Sequence, residues 1–203
     1  MTLCLALLLA LSDSSARTLM FAAEPAYPPN TLSGGTSVFA VRFAAGSVTE
    51  ISLLSGQEPF STLGRAALSQ WKFDPEASGK TIVVICYRRP QLLAVDSGVY
   101  ELGLRETEPG LPSPKVVVEP EYPPNAIAQG SVVLHMEVAR DGSVGKCEVI
   151  KDLGALTETS VRAVQKWRFS PALDRRGDGV ASEAYAVLVF RMPVLGPSES
   201  APR

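Results

Sequence analysis

At 203 residues, with 46% hydrophobic and 20% charged side chains, the chain has the make-up of an ordinary folded protein, long enough for one large core or two small ones. A formal net charge of −2 gives no electrostatic footprint for nucleic acid, which is therefore not expected as a partner. One histidine leaves little material for a multi-histidine metal site or a Ser-His-Asp triad.

The chain opens on an apolar run from Leu3 to Leu11 that ends in the small residues Ser14, Ser15 and Ala16. This pattern predicts a secretory signal over residues 1–16, and with it a periplasmic destination. No basic residue precedes Arg17, which leaves a mis-assigned start open, and an incomplete or truncated anchor and a buried N-terminal helix stand as alternatives to the signal. As a helix the run covers about 14 Å of a ~30 Å hydrocarbon core, too little to span it. Removal of the signal takes Cys4 with it and leaves Cys86 and Cys147. An oxidising compartment permits a bridge between those two; the simpler expectation is a pair of half-buried free thiols.

An internal repeat organises the rest. Glu24-Pro25-Ala26-Tyr27-Pro28-Pro29-Asn30 returns as Glu119-Pro120-Glu121-Tyr122-Pro123-Pro124-Asn125, and Trp71-Lys72-Phe73-Asp74-Pro75 returns as Trp167-Arg168-Phe169-Ser170-Pro171. Between these anchors the first copy is one residue shorter, at a turn where Ala44-Ala45-Gly46-Ser47 stands against Ala139-Arg140-Asp141-Gly142-Ser143.

Each copy reads as strand, strand, helix, strand. In the second, residues 132–138 alternate, with Leu134, Met136 and Val138 on one face and Val133, His135 and Glu137 on the other. The first copy places Phe39, Val41 and Phe43 inward in the same way. Asp141-Gly142 supplies the positive-φ residues of a tight hairpin, and residues 144–150 return as a second strand. The period then becomes helical: Leu156, Ser160, Ala163 with Val164, and Trp167 share a face, matched by Phe60, Gly64, Ala67 with Leu68, and Trp71. Pro171 sets the expected helix end near Phe169. Last strands are predicted over residues 81–88 and 184–191, each running into a proline, Pro90 and Pro193.

The Tyr-Pro opening, the Gly-centred hairpin, the helix ending in Trp-basic-Phe-x-Pro and the final aromatic strand resemble the TonB C-terminal family. The second copy carries the pattern through Tyr122, Pro123, Ala126, Gly130, Asp141, Gly142, Trp167, Arg168, Phe169, Pro171 and Phe190. The first departs from it, with Thr31 in place of Ala126, no Asp before Gly46 and a shorter loop after Pro75; its likeness rests on Tyr27, Pro28, Gly46, Trp71, Lys72, Phe73 and Pro75.

The expected fold is therefore α+β: two tandem ββαβ domains, each a three-stranded antiparallel sheet packed on one helix. Residues 17–90 form the first and more divergent domain and residues 115–194 the second. Residues 91–114, rich in Pro, Gly and Glu, form an exposed linker, and residues 195–203 a disordered tail. Short leading strands are expected at residues 19–21 and 116–118. Tyr27, Pro28, Trp71, Phe73, Tyr122, Pro123, Trp167 and Phe169 are assigned to the core, since the same types recur at the same helical phase in both copies.

Little in the chain suggests an enzyme. His135 lies on the polar face of a strand, Asp141 belongs to a turn, and Glu148 and Glu158 read as solvated groups. Gly177-Asp178-Gly179 lacks the lysine and threonine of a phosphate loop and reads as a loop. No catalytic residue, metal, cofactor or small-molecule substrate is expected.

What remains is recognition through the backbone. A three-stranded sheet has edges that can accept an extended peptide. The family resemblance implies that the last strand accepts a short N-terminal segment of an outer-membrane transporter, which points to Tyr185, Ala186, Val187, Leu188, Val189, Phe190 and Arg191. The competing expectation is that the two copies pair their last strands within the molecule and occupy this edge. A transducer asks for an anchor and a long spacer, whereas the roughly 24 residues before Pro25 reach only about 80 Å when fully extended. The expected role is thus a periplasmic adaptor binding proteins or extended peptides by strand addition. The alternatives are an energy-transducing component of TonB-dependent transport and a structural cell-envelope interaction protein.

Overall fold

Residues 82–87 and 184–190 are buried at every position, so both faces of these strands are covered. A strand with one face in water alternates apolar and polar side chains; one covered on both sides does not. The computed structural model, which describes residues 18–90, 98–104, 108–124 and 126–193, shows how the covering is achieved. The first half supplies β1 (Leu19–Phe21), β2 (Gly35–Ala44), β3 (Ser47–Ser55), α1 (Phe60–Leu68), β4 (Lys72–Phe73) and β5 (Gly79–Tyr87). β6 (Val99–Glu101) lies in the connection. The second half supplies β7 (Ser113–Val118), β8 (Gly130–Val138), β9 (Val144–Lys151), α2 (Ala155–Val164), β10 (Arg168–Ser170), β11 (Ala172–Leu173), β12 (Gly179–Val180) and β13 (Ser182–Phe190).

Eight of these strands form one sheet in the order β1-β4-β3-β2-β5-β13-β8-β9, with β10-β7-β6 and β11-β12 as smaller sheets. This corrects the expected fold class. There are not two tandem ββαβ domains with a three-stranded sheet each, because the last strands of the two halves pair with one another. β5 and β13 run parallel, in a register that sets Ile82 against Ala184 and Tyr87 against Val189. The physical reason lies in those strands: in a separate three-stranded sheet with one helix, Ile82, Val84, Ala186 and Leu188, or their alternates, would face water.

Alternate side chains of the shared strands divide between two cores. Val38, Ile82, Val84, Leu134, Met136, Ala186 and Leu188 pack with Leu156 and Val164 of α2 and with Trp167. Phe39, Val41, Val83, Ile85, Val133, Val187 and Val189 pack with Phe60 and Leu68 of α1 and with Trp71. Since successive strand side chains point to opposite faces, the two cores and their helices lie on opposite sides of the sheet. Each half therefore contributes strand residues to the other half's core.

The second helix ends earlier than the position of Pro171 suggests. α2 stops at Val164, the Lys166 and Trp167 amides bond back to the Ala163 and Val164 carbonyls, and Phe169 lies in β10, paired with β7. α1 closes in the same way through Gln70 and Trp71. The tertiary pairing of β10 overrides the helical phase. The indole N–H of Trp167 donates to the Val118 carbonyl at 2.9 Å, and that of Trp71 to the Ala23 carbonyl at 3.2 Å. α2 is entered through Asp152, whose carboxylate accepts the Gly154 amide, and Thr157, whose hydroxyl accepts the Leu153 amide. In α1, Gly64 lets the helix approach the sheet: a methyl group there would come within 3.0 Å of Ile85 and Phe39.

The β8–β9 turn is fixed by Asp141, whose carboxylate accepts the Ser143 amide and hydroxyl and is thereby held below the usual carboxylate range. Gly142 follows at φ 80°, and its carbonyl accepts the Phe169 amide at 2.8 Å. A Cβ on Gly142 would stand 1.8 Å from the Phe169 carbonyl oxygen, whereas one on the matching Gly46 would be 3.3 Å from the Phe73 oxygen. Gly142→Ala is therefore expected to lower the melting temperature well beyond Gly46→Ala, where the positive-φ cost of about 1–2 kcal/mol is joined only by a tight contact of 3.3 Å with the Phe73 carbonyl oxygen. Thermal melts of the two variants side by side check this ordering.

Candidate partner-binding surface

The strand expected to accept a peptide lies inside the sheet. Tyr185, Ala186, Val187, Leu188 and Val189 pair with β5 on one side, and the same residues with Phe190 pair with β8 on the other. All six are buried. Arg191 lies just beyond the strand, and its guanidinium donates to the Pro28 and Pro29 carbonyls at 3.4 and 2.8 Å. In this arrangement residues 185–189 form no edge; the competing expectation, pairing of the two last strands, is what the structure contains.

The motif residues line the junction between the halves. Arg88, which follows β5, donates through Nε to the Pro120 carbonyl at 3.2 Å and sits over the Tyr122 ring at 5.4 Å. Arg191 does the same service for the other side through Pro28 and Pro29, so each last strand ends in an arginine that holds the Tyr-Pro segment of the opposite half. The Tyr27 hydroxyl lies 2.9 Å from the Ser33 carbonyl and 3.0 Å from that of Arg88; the Tyr122 hydroxyl donates to the Ala128 carbonyl at 2.7 Å. Burial pushes the Tyr27 hydroxyl well above its ordinary range, so it stays a donor. Trp71 and Phe73 meet Tyr185 edge-on, at 5.8 and 6.4 Å between ring centroids. Trp167, Phe169 and Tyr122 are buried in the core on the α2 side, with Pro123 half-buried beside them.

Behind this junction lies a buried polar knot that sequence reasoning did not single out. Glu119 pairs with Arg89 at 3.2 Å and accepts the Tyr100 hydroxyl, and its side chain is only 7% exposed. Tyr100 comes from β6, within the expected linker, so residues 98–104 are tied to the second half instead of standing free. The linker residues 91–97 and 105–107, the expected signal over residues 1–16, Asn125 and the tail from residue 194 lie outside the described residues.

His135 is half-buried, 3.3 Å from the Glu183 carboxylate and tilted against the Tyr185 ring. Among the described residues no group of three His, Cys, Asp or Glu side chains gathers to hold a metal. Cys86 is fully buried and Cys147 half-buried, both as free thiols. Burial pushes both thiols up, with Glu119 adding to the effect at Cys86 and Glu137 at Cys147, so neither carries the thiolate of a reactive cysteine. Open hollows also lie among the described residues. One, of about 500 Å³, is formed by residues including Glu24, Tyr27, Gln129 and Arg191; another, of about 400 Å³, is an apolar groove between Ala126, Ile127, Ala128 and residues 153–156.

Strand order, the hairpin locked by Gly142 and the Trp167 anchor together describe the second half closely enough for comparison with known families. Residues 118–192 match the family model of the Gram-negative bacterial TonB protein C-terminal. This TonB C-terminal match begins at the end of β7 and runs past β13, and it shows one copy; no second copy over the first half is shown. It points to a TonB-like role in the cell envelope and to a protein partner. No curated protein matches the chain. Among the described residues no helix is long and apolar enough to cross a membrane.

Proposed function

We propose that this protein is a non-enzymatic, periplasmic protein-binding adaptor of the cell envelope. Its TonB-type last strand is occupied by the chain's own first half, and partners dock on its outer surfaces. The observation that carries this reading is the pairing of β13 on both sides, by β5 and β8. For a peptide to take the place of β5, Ile82, Val83, Val84, Ile85 and Tyr87 would have to leave the core, where each is fully buried. At about 1.5–3 kcal/mol per large apolar side chain, that loss is comparable to the roughly 5–15 kcal/mol that holds a whole domain together. Displacement would amount to unfolding.

The first half reads as a divergent copy of the same module. In support, both halves contain a hairpin, a helix and a long last strand; both tryptophan indoles donate to a leading-segment carbonyl; and both motif tyrosines reach the carbonyl six residues on. Titrating the full chain with peptides from transporter N-termini, followed by backbone amide shifts, tests the adaptor reading. Shifts along residues 184–190 should be absent even at millimolar peptide. Saturable shifts there would overturn self-occupation and restore β13 as the docking edge.

A further inference from the structure

The eight-stranded sheet ends at β9, and among the described residues no strand pairs with its outer edge. An unpaired edge presents backbone donors and acceptors to any other chain, and native sequences guard such edges with charge and bulges. Both guards are present. Register shifts flank the regular stretch in which Cys147, Glu148 and Val149 face Met136, His135 and Leu134, and Lys146 lies exposed next to it. Lysine at such a place discourages a strand of arbitrary sequence.

The order of the residues, however, selects one strand. Residues 145–149 read Gly-Lys-Cys-Glu-Val. Run antiparallel against itself about Cys147, this segment sets each Lys146 opposite Glu148 and each Gly145 opposite Val149. Opposite charges facing each other across an antiparallel pair attract, and like charges in the same places repel by a similar amount. Glycine opposite valine leaves space for the isopropyl group. The half-buried Cys147 falls on the two-fold axis, facing its own copy. Such a contact is isologous: the same patch serves both partners and the assembly closes at two.

We propose that β9 pairs with β9 of a second copy of this chain, antiparallel and centred on Cys147, so that two eight-stranded sheets join edge to edge through Lys146–Glu148 pairs. This goes beyond the proposed function and does not depend on it, since the β9 edge lies at the opposite side of β8 from β13.

Sedimentation of the full chain over a wide concentration range, with charge variants alongside, tests it. The wild type should show a concentration-dependent dimer. Lys146→Glu and Glu148→Lys each place like charges opposite one another at both pairs, and each should weaken the dimer by roughly tenfold or more. Mixing the two single variants should give a heterodimer, and the exchange of both residues in one chain, Lys146→Glu with Glu148→Lys, should restore the homodimer. Melting curves confirm that the variants are folded; Lys146 is exposed, so Lys146→Glu stays readable if Glu148→Lys is not. A wild type that stays monomeric at every concentration overturns the proposal. So does a dimer indifferent to the single reversals, or one that the double exchange does not restore.

Discussion

Val187→Ala should lower the melting temperature of both halves together, although the residue belongs to the second. Val187 is fully buried, stands between Ile85 and Val133 in the sheet, and packs in the core of α1 and Trp71. Removing its two methyl groups costs about 2 kcal/mol, which for a chain of this size is roughly 4–8 °C. The two tryptophans, Trp71 and Trp167, allow each half to be followed separately once the other is replaced by phenylalanine. Because β13 is common to both cores, the two fluorescence melts should move by the same amount. Two independent domains would leave the Trp71 melt where it was. Val187→Asp, which places an unpaired carboxylate between the same neighbours, should leave no folded protein.

Trp167→Ala is expected to bring the fold to the margin of stability. The side chain is fully buried at the turn between α2 and β10, and its indole N–H satisfies the Val118 carbonyl at 2.9 Å. Cavity formation on this scale costs about 3–5 kcal/mol, and loss of the hydrogen bond to the part-buried Val118 carbonyl adds about 0.5–1.5 kcal/mol. Against a total of about 5–15 kcal/mol, little remains. Trp167→Phe keeps most of the packing and loses the hydrogen bond, so its melting temperature should fall between those of Trp167→Ala and the wild type. A circular-dichroism melt of Trp167→Ala within a few degrees of the wild type would contradict the anchoring role.

Local structure was largely legible in the sequence because it is written in periods and turn residues. The alternation of residues 132–138 appears as β8, the Asp141-Gly142 turn closes the hairpin, and the helical phase of Leu156, Ser160 and Ala163 faces the sheet. The leading strands at residues 19–21 and 116–118 also form, the latter within the longer β7. The assembly of these pieces was not legible. A period-based reading treats the last strand of each half alike and gives each its own sheet. The signal against that is the lack of alternation in residues 82–86 and 184–190, which only a sheet covered on both faces tolerates. The same omission hid the fate of Tyr185 to Phe190, since an edge strand facing water needs polar side chains that this one lacks. The Arg88 and Arg191 contacts across the junction, and the Glu119–Arg89 pair, join residues far apart in the chain and leave no mark on local pattern. The outer edge of β9 was likewise invisible, because which strand ends a sheet is decided by the pairing of all the others.

That β13 is an interior strand can be read from amide hydrogen exchange along residues 184–190 of the full chain. In an interior strand every amide donates to one neighbour or the other, so protection should be continuous from Ala184 to Val189 and as strong as that of Ile82 to Cys86 in β5. An edge strand turns every second amide to water. Alternating protection along residues 184–189, with fast exchange at β5, would mean that the two halves do not share a sheet and that the last strand stands open to a partner.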